Sequence, residues 1–104
     1  MIRFRILQVR DIEGCEYAFR GYGADKFNIE DYEQVYELES ESLYEKSDLE
    51  ALEYLFYIFN LRIPEDFTGH SLSLSDCVHI ERNGECRLYY CDLTGWTLIK
   101  KTRS

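Results

Sequence analysis

The chain has 104 residues, of which 45% are hydrophobic, and a formal net charge of −8 at pH 7. From this length we expect a single domain, with a core large enough to fold without disulfides. The acidic balance opposes nucleic-acid binding as a primary role, and no apolar run approaches the length of a membrane span.

The four cysteines of the chain are Cys15, Cys77, Cys86 and Cys91. The sequence shows neither a secretory leader nor a lipidation signal, so we expect a cytoplasmic protein with no membrane contact. Thiols stay reduced in that compartment. We therefore predict free, mostly buried cysteines that pack as small hydrophobes.

The first predicted element is a strand at residues 2–9. Apolar residues alternate there with arginines, which is the period of a strand with one buried face. The arginines should lie on the exposed face. The apolar positions are Ile2, Phe4 and Ile6, and the arginines are Arg3 and Arg5.

Turn residues dominate the segment that follows. A turn is expected at residues 11–14. The short aromatic segment 16–20 favours a strand over a helix, and Gly21 and Gly23 should end it. A turn or a single helical turn is then predicted at residues 22–26.

Residues 31–38, DYEQVYEL, fit two periods. Tyr32, Tyr36 and Leu38 alternate with polar residues as in a strand, while Tyr32, Val35 and Tyr36 also have helical spacing. Because β-branched and aromatic residues fill the apolar positions, we predict a strand, with a helix as the competing interpretation.

The clearest predicted element is a helix at about 48–60. Ser47 followed three residues later by Glu50 is a capping box, which marks the start of a helix. Asn60 is predicted as a left-handed C-terminal residue, and Pro64 bars continuation. An apolar stripe at helical spacing comprises Leu49, Leu52, Leu55, Phe56 and Phe59.

The segment PEDFTGHSLSLSD at residues 64–76, called the motif loop below, follows the helix. Leu72 and Leu74 alternate with serines, a pattern that fits an edge strand or an ordered loop leading into a strand at Cys77 equally well. We expect a loop packed across an edge of the sheet. Ser75 and Asp76 should close it by accepting from backbone N–H groups.

The last unit is a β-hairpin followed by a strand. Asn83-Gly84 between CVHIER and ECRLYYCDL predicts a two-residue type I′ turn. The resulting register pairs Arg82 with Glu85, Glu81 with Cys86, His79 with Leu88, and Cys77 with Tyr90. A final strand, WTLIK, follows Thr94-Gly95. The predicted fold class is α+β, a mainly antiparallel sheet with one principal covering helix.

Cys77, His79 and Cys86 share one face of that hairpin, which raises the possibility of a zinc site. The register places Cys86 opposite Glu81, roughly 13 Å along the strand from Cys77 at about 3.3 Å per residue. Thiolates on one zinc lie within about 4 Å of each other. We therefore expect no metal and no cofactor.

Asp66, His70, Asp76 and His79 lie close together in the sequence and have the residue types of a base and its orienting acid. No nucleophile or phosphate-binding signature accompanies them. We predict no catalytic residue. A hydrolase or nuclease that uses His70 and Asp76 is one alternative, and a small nucleic-acid-binding domain that uses the basic flanking strands is another.

Residues 28–53 hold ten acids against Lys46 alone, a net charge of −9, so the rest of the chain carries +1. Charge runs most often form a solvated face. The functional interpretation is a negative surface that attracts a basic protein and repels nucleic acid. The candidate binding residues are Glu30, Asp31, Glu33, Tyr36, Glu37, Glu39, Glu41, Tyr44 and Glu45.

Four segments resemble the YodL-like domain of Firmicute chromosomes and conjugative elements: a VY strand at 35–36, the helix segment 52–60, the motif loop, and the YYCDLTGW ending at 89–96. The resemblance implies largely unassigned biochemistry without catalytic residues. Its setting on mobile elements suggests accessory or anti-defence proteins, including inhibitors of CRISPR or restriction nucleases. The motif-loop residues that it singles out are Gly69, His70, Ser73, Ser75 and Asp76.

We therefore expect one YodL-like domain over residues 1–104. Its expected role is that of a non-enzymatic accessory protein that binds a basic, nucleic-acid-handling protein such as a host defence nuclease. Direct binding of nucleic acid is disfavoured by the acidic charge.

Overall fold

The computed structural model describes residues 1–19 and 23–103. Its elements are β1 (Ile2–Val9), β2 (Tyr32–Ser40), α1 (Asp48–Leu61), β3 (Cys77–Arg82), β4 (Glu85–Asp92) and β5 (Gly95–Arg103), with short 3₁₀ turns at Ala24–Lys26, Ile29–Asp31 and Ser42–Glu45. Within the described residues, five strands form one antiparallel sheet in the order β2-β1-β3-β4-β5. The predicted α+β class is confirmed.

The ambiguous segment at residues 31–38 is a strand, as predicted. It pairs antiparallel with β1, with Arg5 opposite Glu37 and Phe4 opposite Leu38, and a bulge shifts the register between Ile6 and Leu7. The segment forms a strand and not a helix because β1 supplies an apolar pairing partner on each side of the bulge.

The hairpin register is confirmed at every predicted pair. Asn83 has a φ of 53° and Gly84 a φ of 75°, the two positive angles that a type I′ turn requires. Two local residues therefore set the alignment of eight-residue β4 against β3.

The capping box of α1 is confirmed. The Glu50 amide donates to Ser47 Oγ and the Ser47 amide donates to Glu50 Oε1, each over 3.2 Å. The predicted extent of about 48–60 is confirmed to within one residue, but the predicted left-handed conformation of Asn60 was wrong. Asn60 lies inside the helix, and its side-chain amide donates to the Phe56 carbonyl over 2.7 Å. The helix ends at Leu61, and Arg62, with a φ of −138°, caps it.

The predicted apolar stripe of α1 is correct for Leu52, Leu55 and Phe59, which are buried together with Ala51. It was wrong for Leu49, which is 56% exposed, and for Phe56, which is 37% exposed. The sheet covers a narrower arc of the helix than the spacing suggested, so these two side chains lie outside the buried stripe.

The strand predicted at residues 16–20 was wrong, since residues 16–19 form a turn. Tyr17 is buried against the sheet instead of joining it, and its hydroxyl donates to Asp31 Oδ2 over 2.8 Å. Residues 20–22, including the predicted stop at Gly21, lie outside the described residues. A 3₁₀ turn at Ala24–Lys26 occupies the place predicted for a single turn.

Both faces of the sheet are covered. One face packs on α1 through a core that includes Phe4, Ile6, Val78 and Ile80. The opposite face carries a second apolar cluster, which the connection between β1 and β2 covers. The members of this cluster are Val9, Tyr17, Tyr32, Cys77, Leu88 and Tyr90. All four cysteines are free, with Cys77 and Cys91 buried and Cys15 and Cys86 half-buried.

The motif loop contains no strand, so the ordered-loop interpretation is correct. It touches edge strand β2, where the Tyr36 hydroxyl donates to Asp66 Oδ1 over 2.9 Å. It then reaches β4, where the Cys91 amide donates to the Asp76 carbonyl over 2.8 Å. In the described part of the chain, no helix is long and apolar enough to cross a membrane.

Candidate functional site

Two of the predicted acidic binding residues face arginines. Arg3 Nε donates to Glu39 Oε1 over 2.9 Å, and Arg5 Nε donates to Glu37 Oε1 over 3.1 Å. Arg5 also reaches Glu81 Oε1 on β3 at 3.3 Å. The negative charge of β2 is therefore partly neutralised on the face of the sheet opposite α1.

Asp48 is also neutralised. Its Oδ1 lies 2.9 Å from Arg82 Nη2 and its Oδ2 lies 3.2 Å from Arg87 Nη1. The Tyr89 hydroxyl donates to Asp48 Oδ2 over 2.6 Å, and burial raises the pKa of Tyr89. Asp48 thus attaches the first turn of α1 to strands β3 and β4.

Four of the predicted residues remain exposed, and none of them forms an ion pair with a described residue: Glu30, Glu33, Glu41 and Glu45. We call these four the open acidic surface. Asp31 does not belong to it, because its carboxylate accepts from the Tyr17 hydroxyl. The open acidic surface has two parts: Glu30 and Glu33 lie at the start of the nine-residue edge strand β2, and Glu41 and Glu45 lie in the connection that follows its end.

The two predicted tyrosines are used by the fold. The Tyr36 ring packs edge-on against Phe59 and Phe67, with centroids at 5.4 and 5.7 Å. The Tyr44 hydroxyl donates to Asn83 Oδ1 over 2.7 Å, and the Arg82 guanidinium lies over the Tyr44 ring. Two other tyrosines, Tyr54 and Tyr57 on α1, are about half exposed to solvent.

Gln8 and Asp76 form the buried centre of the motif loop. Gln8 Nε2 donates to Asp76 Oδ2 over 3.1 Å and to the His70 carbonyl over 2.8 Å, while the His70 amide donates back to Gln8 Oε1. The Ser73 amide donates to the same Asp76 oxygen over 2.9 Å. Gly69 is required beside this centre, because a Cβ there would lie 2.3 Å from Gln8 Oε1.

Ser75 attaches the loop to two other segments. Its Oγ accepts from the Phe19 amide over 2.9 Å, and its carbonyl accepts from the Tyr32 hydroxyl over 2.6 Å. Its φ of 75° is a left-handed conformation, which these bonds hold in place. The loop is therefore rigid through contacts with β2, β4 and the β1–β2 connection.

His70 and Asp76 do come together. Burial raises the pKa of Asp76 to about 7, against the opposing effects of His70, the Ser73 amide and Gln8. His70 Nδ1 lies 2.8 Å from the Ser71 carbonyl and 3.3 Å from Gln8 Nε2, and His70 Nε2 faces Asp76 Oδ1 at 3.7 Å. Asp76 is only 1% exposed, which favours a structural role over contact with a substrate.

The motif loop and the YYCDLTGW segment meet in a groove of about 440 Å³. Its apolar walls are Phe56 of α1, Leu72 and Leu74 of the motif loop, and Trp96, the single tryptophan of the chain. Ser73 also lines it, and the buried Ser73 Oγ has no hydrogen-bond partner among the described residues. We call this feature the Trp96 groove.

Sequence reasoning missed the Trp96 groove, although both of its main segments carry the family resemblance. Their convergence depends on the Ser75 amide and the Cys91 carbonyl, which bond over 2.9 Å and place the loop beside the end of β4. Among the described residues, no three His, Cys, Asp or Glu side chains are grouped as a metal site requires.

Nearly the whole chain matches a known protein family. A family model described as YodL-like domain matches residues 3–101. No curated protein and no solved structure matches the chain.

Proposed function

The chain belongs to the YodL-like domain family, and on that premise we propose that it is a non-enzymatic protein that binds a basic, nucleic-acid-handling protein through its open acidic surface. The mobile-element setting implied by the resemblance makes an anti-defence role the specific form of this proposal. The partner is then a host nuclease of the CRISPR or restriction type, met in the cytoplasm.

The observation that carries the proposal is the open acidic surface itself. Glu30, Glu33, Glu41 and Glu45 lie within sixteen consecutive residues, all exposed and none in an ion pair with a described residue. Such a field accelerates encounter with a positive surface and disfavours like-charged partners. A nucleic-acid-binding groove is a positive surface of this kind.

Exposed apolar and aromatic side chains of α1 provide contact area. Leu49, Tyr54 and Tyr57 project from α1 with about half of each residue exposed. Tyrosine is enriched at the energetic centres of interfaces, where a charged rim surrounds an apolar patch. This arrangement supports binding over a purely solubilising role for the acids.

The test compares two triple variants with equal loss of charge. Glu33→Gln/Glu41→Gln/Glu45→Gln changes the open acidic surface, and Glu13→Gln/Asp25→Asn/Glu65→Gln removes exposed acids elsewhere. Binding to purified, nucleic-acid-free CRISPR and restriction effectors is measured at low and high salt. The first variant should lose on the order of tenfold in affinity, about 1.4 kcal/mol, and the second little. Equal affinity of the two variants would contradict the proposal.

The hydrolase or nuclease alternative rests on the approach of His70 to Asp76. Against it, Asp76 is buried beneath the loop and accepts from Ser73 and Gln8. A turnover that is abolished by His70→Ala, with the fold intact, would favour this alternative.

The nucleic-acid-binding alternative needs free cations on the flanking strands. Arg3 and Arg5 face glutamates, and Arg82 and Arg87 face Asp48. Their charges are therefore largely neutralised within the fold, which disfavours direct binding to phosphates.

A further inference from the structure

The Trp96 groove has the dimensions of a site for a side chain or a small molecule. Its volume is about 440 Å³ and apolar atoms dominate its walls. Sites of this kind combine apolar walls with a few placed polar groups. The polar groups therefore indicate the class of occupant.

Those polar groups are acidic. Glu53 of α1 and Asp92 at the end of β4 both line the groove, and no described lysine or arginine does. Cys91 also lines the groove, and burial first, and then the carboxylates of Asp76, Asp92 and Glu53, raise the pKa of its thiol to about 12. The groove thus places an apolar surface in a negative electrostatic environment.

Two further groups suit a cation with several N–H donors. Tryptophan offers the most favourable aromatic face for a cation. The buried Ser73 hydroxyl lacks a partner within the described structure, and a buried hydroxyl normally has one. A guanidinium stacks on aromatic rings and supplies five donors in a planar fork, which an ammonium does not.

We propose that the Trp96 groove receives an arginine side chain of the protein partner, with its stem along Phe56 and Leu72 and its guanidinium between Trp96 and Glu53. The inference rests on the proposed function, because it names the anchor that a basic partner inserts. Glu53 is also the last of the ten acids in residues 28–53, so α1 connects the groove to the open acidic surface.

The test uses the fluorescence of Trp96, the only tryptophan in the chain. The probes are the capped tripeptide acetyl-Gly-Arg-Gly-amide and its citrulline analogue, which has nearly the same shape and no charge. We expect a saturable change with the arginine probe, weaker in high salt, and a clearly lower affinity for citrulline. Equal affinity for the two probes, or no saturable change, would overturn the inference.

A matched pair of variants locates the site. Glu53→Gln should weaken the arginine probe about two- to fivefold, as expected for one exposed ion pair. Glu65→Gln removes an exposed acid outside the groove and should leave the affinity unchanged. Ser73→Ala should also weaken the probe, and unchanged affinity in both groove variants would overturn the proposed contacts.

The outcome separates this inference from the proposed function. Suppose that the triple variant of the open acidic surface loses affinity for the nuclease while the groove shows no binding of the arginine probe. In that case the proposed function stands and the arginine anchor is wrong. If the groove binds arginine while that variant keeps full affinity for the nuclease, the proposed function fails and the groove remains an arginine site.

Discussion

Gln8 Nε2 donates to Asp76 Oδ2 over 3.1 Å, and this bond joins the first strand to the last residue of the motif loop. Both residues are almost fully buried. The contact explains why a polar, serine-rich segment is ordered. Its buried polar atoms find partners in β1, and burial excludes water as a competitor.

The first prediction concerns this bond. Gln8→Leu removes the donor to Asp76 and both contacts with the His70 backbone. We expect a loss of about 2–3 kcal/mol in the free energy of unfolding, because buried polar groups are left without partners. Urea denaturation measures it, with exposed Gln34→Leu as the control. A loss no larger than that of the control would show that the loop is held by its apolar contacts.

The second prediction concerns pH. The pKa of Asp76 is raised to about 7 in the folded state, against about 3.9 in an unfolded chain. The folded state therefore holds a proton that the unfolded state has released, and the contribution of Asp76 to stability falls as pH rises from about 4 to about 7. Asp76→Asn should remove this dependence.

The measurement is the difference in unfolding free energy between the wild type and Asp76→Asn at several pH values. The variant should become more stable relative to the wild type as pH rises. A change in the opposite direction would mean that the bonds from Ser73 and Gln8 outweigh burial and that the pKa of Asp76 is lowered.

The third prediction compares two glycines at which an added Cβ would lie equally close to a neighbouring side-chain oxygen. A Cβ at Gly69 would lie 2.3 Å from buried Gln8 Oε1, and a Cβ at Gly14 would lie 2.3 Å from the Asp11 carboxylate, an exposed side chain that can move. Gly69→Ala should therefore cost about 1–3 kcal/mol, as overpacking does. Gly14→Ala is the control and should cost clearly less in thermal denaturation. Similar costs would indicate that Gln8 moves as freely as Asp11.

The fourth prediction concerns Asp48. Asp48→Ala leaves Arg82 and Arg87 facing each other without the carboxylate and removes the acceptor of the Tyr89 hydroxyl. We expect a loss of about 3 kcal/mol, because one partner of a largely buried ion pair is removed. Exposed Glu45→Ala is the control in chemical denaturation. A loss below about 1 kcal/mol would place this pair with ordinary surface salt bridges.

Short-range features of the fold were predictable from the sequence. The capping box of Ser47 and Glu50, the Asn83-Gly84 turn with its register, and the alternation of β1 each depend on residues within a few positions of one another. Local sterics and hydrogen bonding determine such features, so the residue types alone identify them.

Tertiary contacts decided the rest. Tyr17 lies in a turn because it packs under the sheet, and Glu37 is neutralised by Arg5, 32 positions away in the chain. The Trp96 groove exists only because the Ser75–Cys91 bond brings two distant segments together. The sequence by itself determined the positions of α1, of strands β1 to β5 and of the acidic charge. Which acids stay open and which polar groups meet depended on pairings between distant strands, since charge and hydrogen bonding act through space and not along the chain.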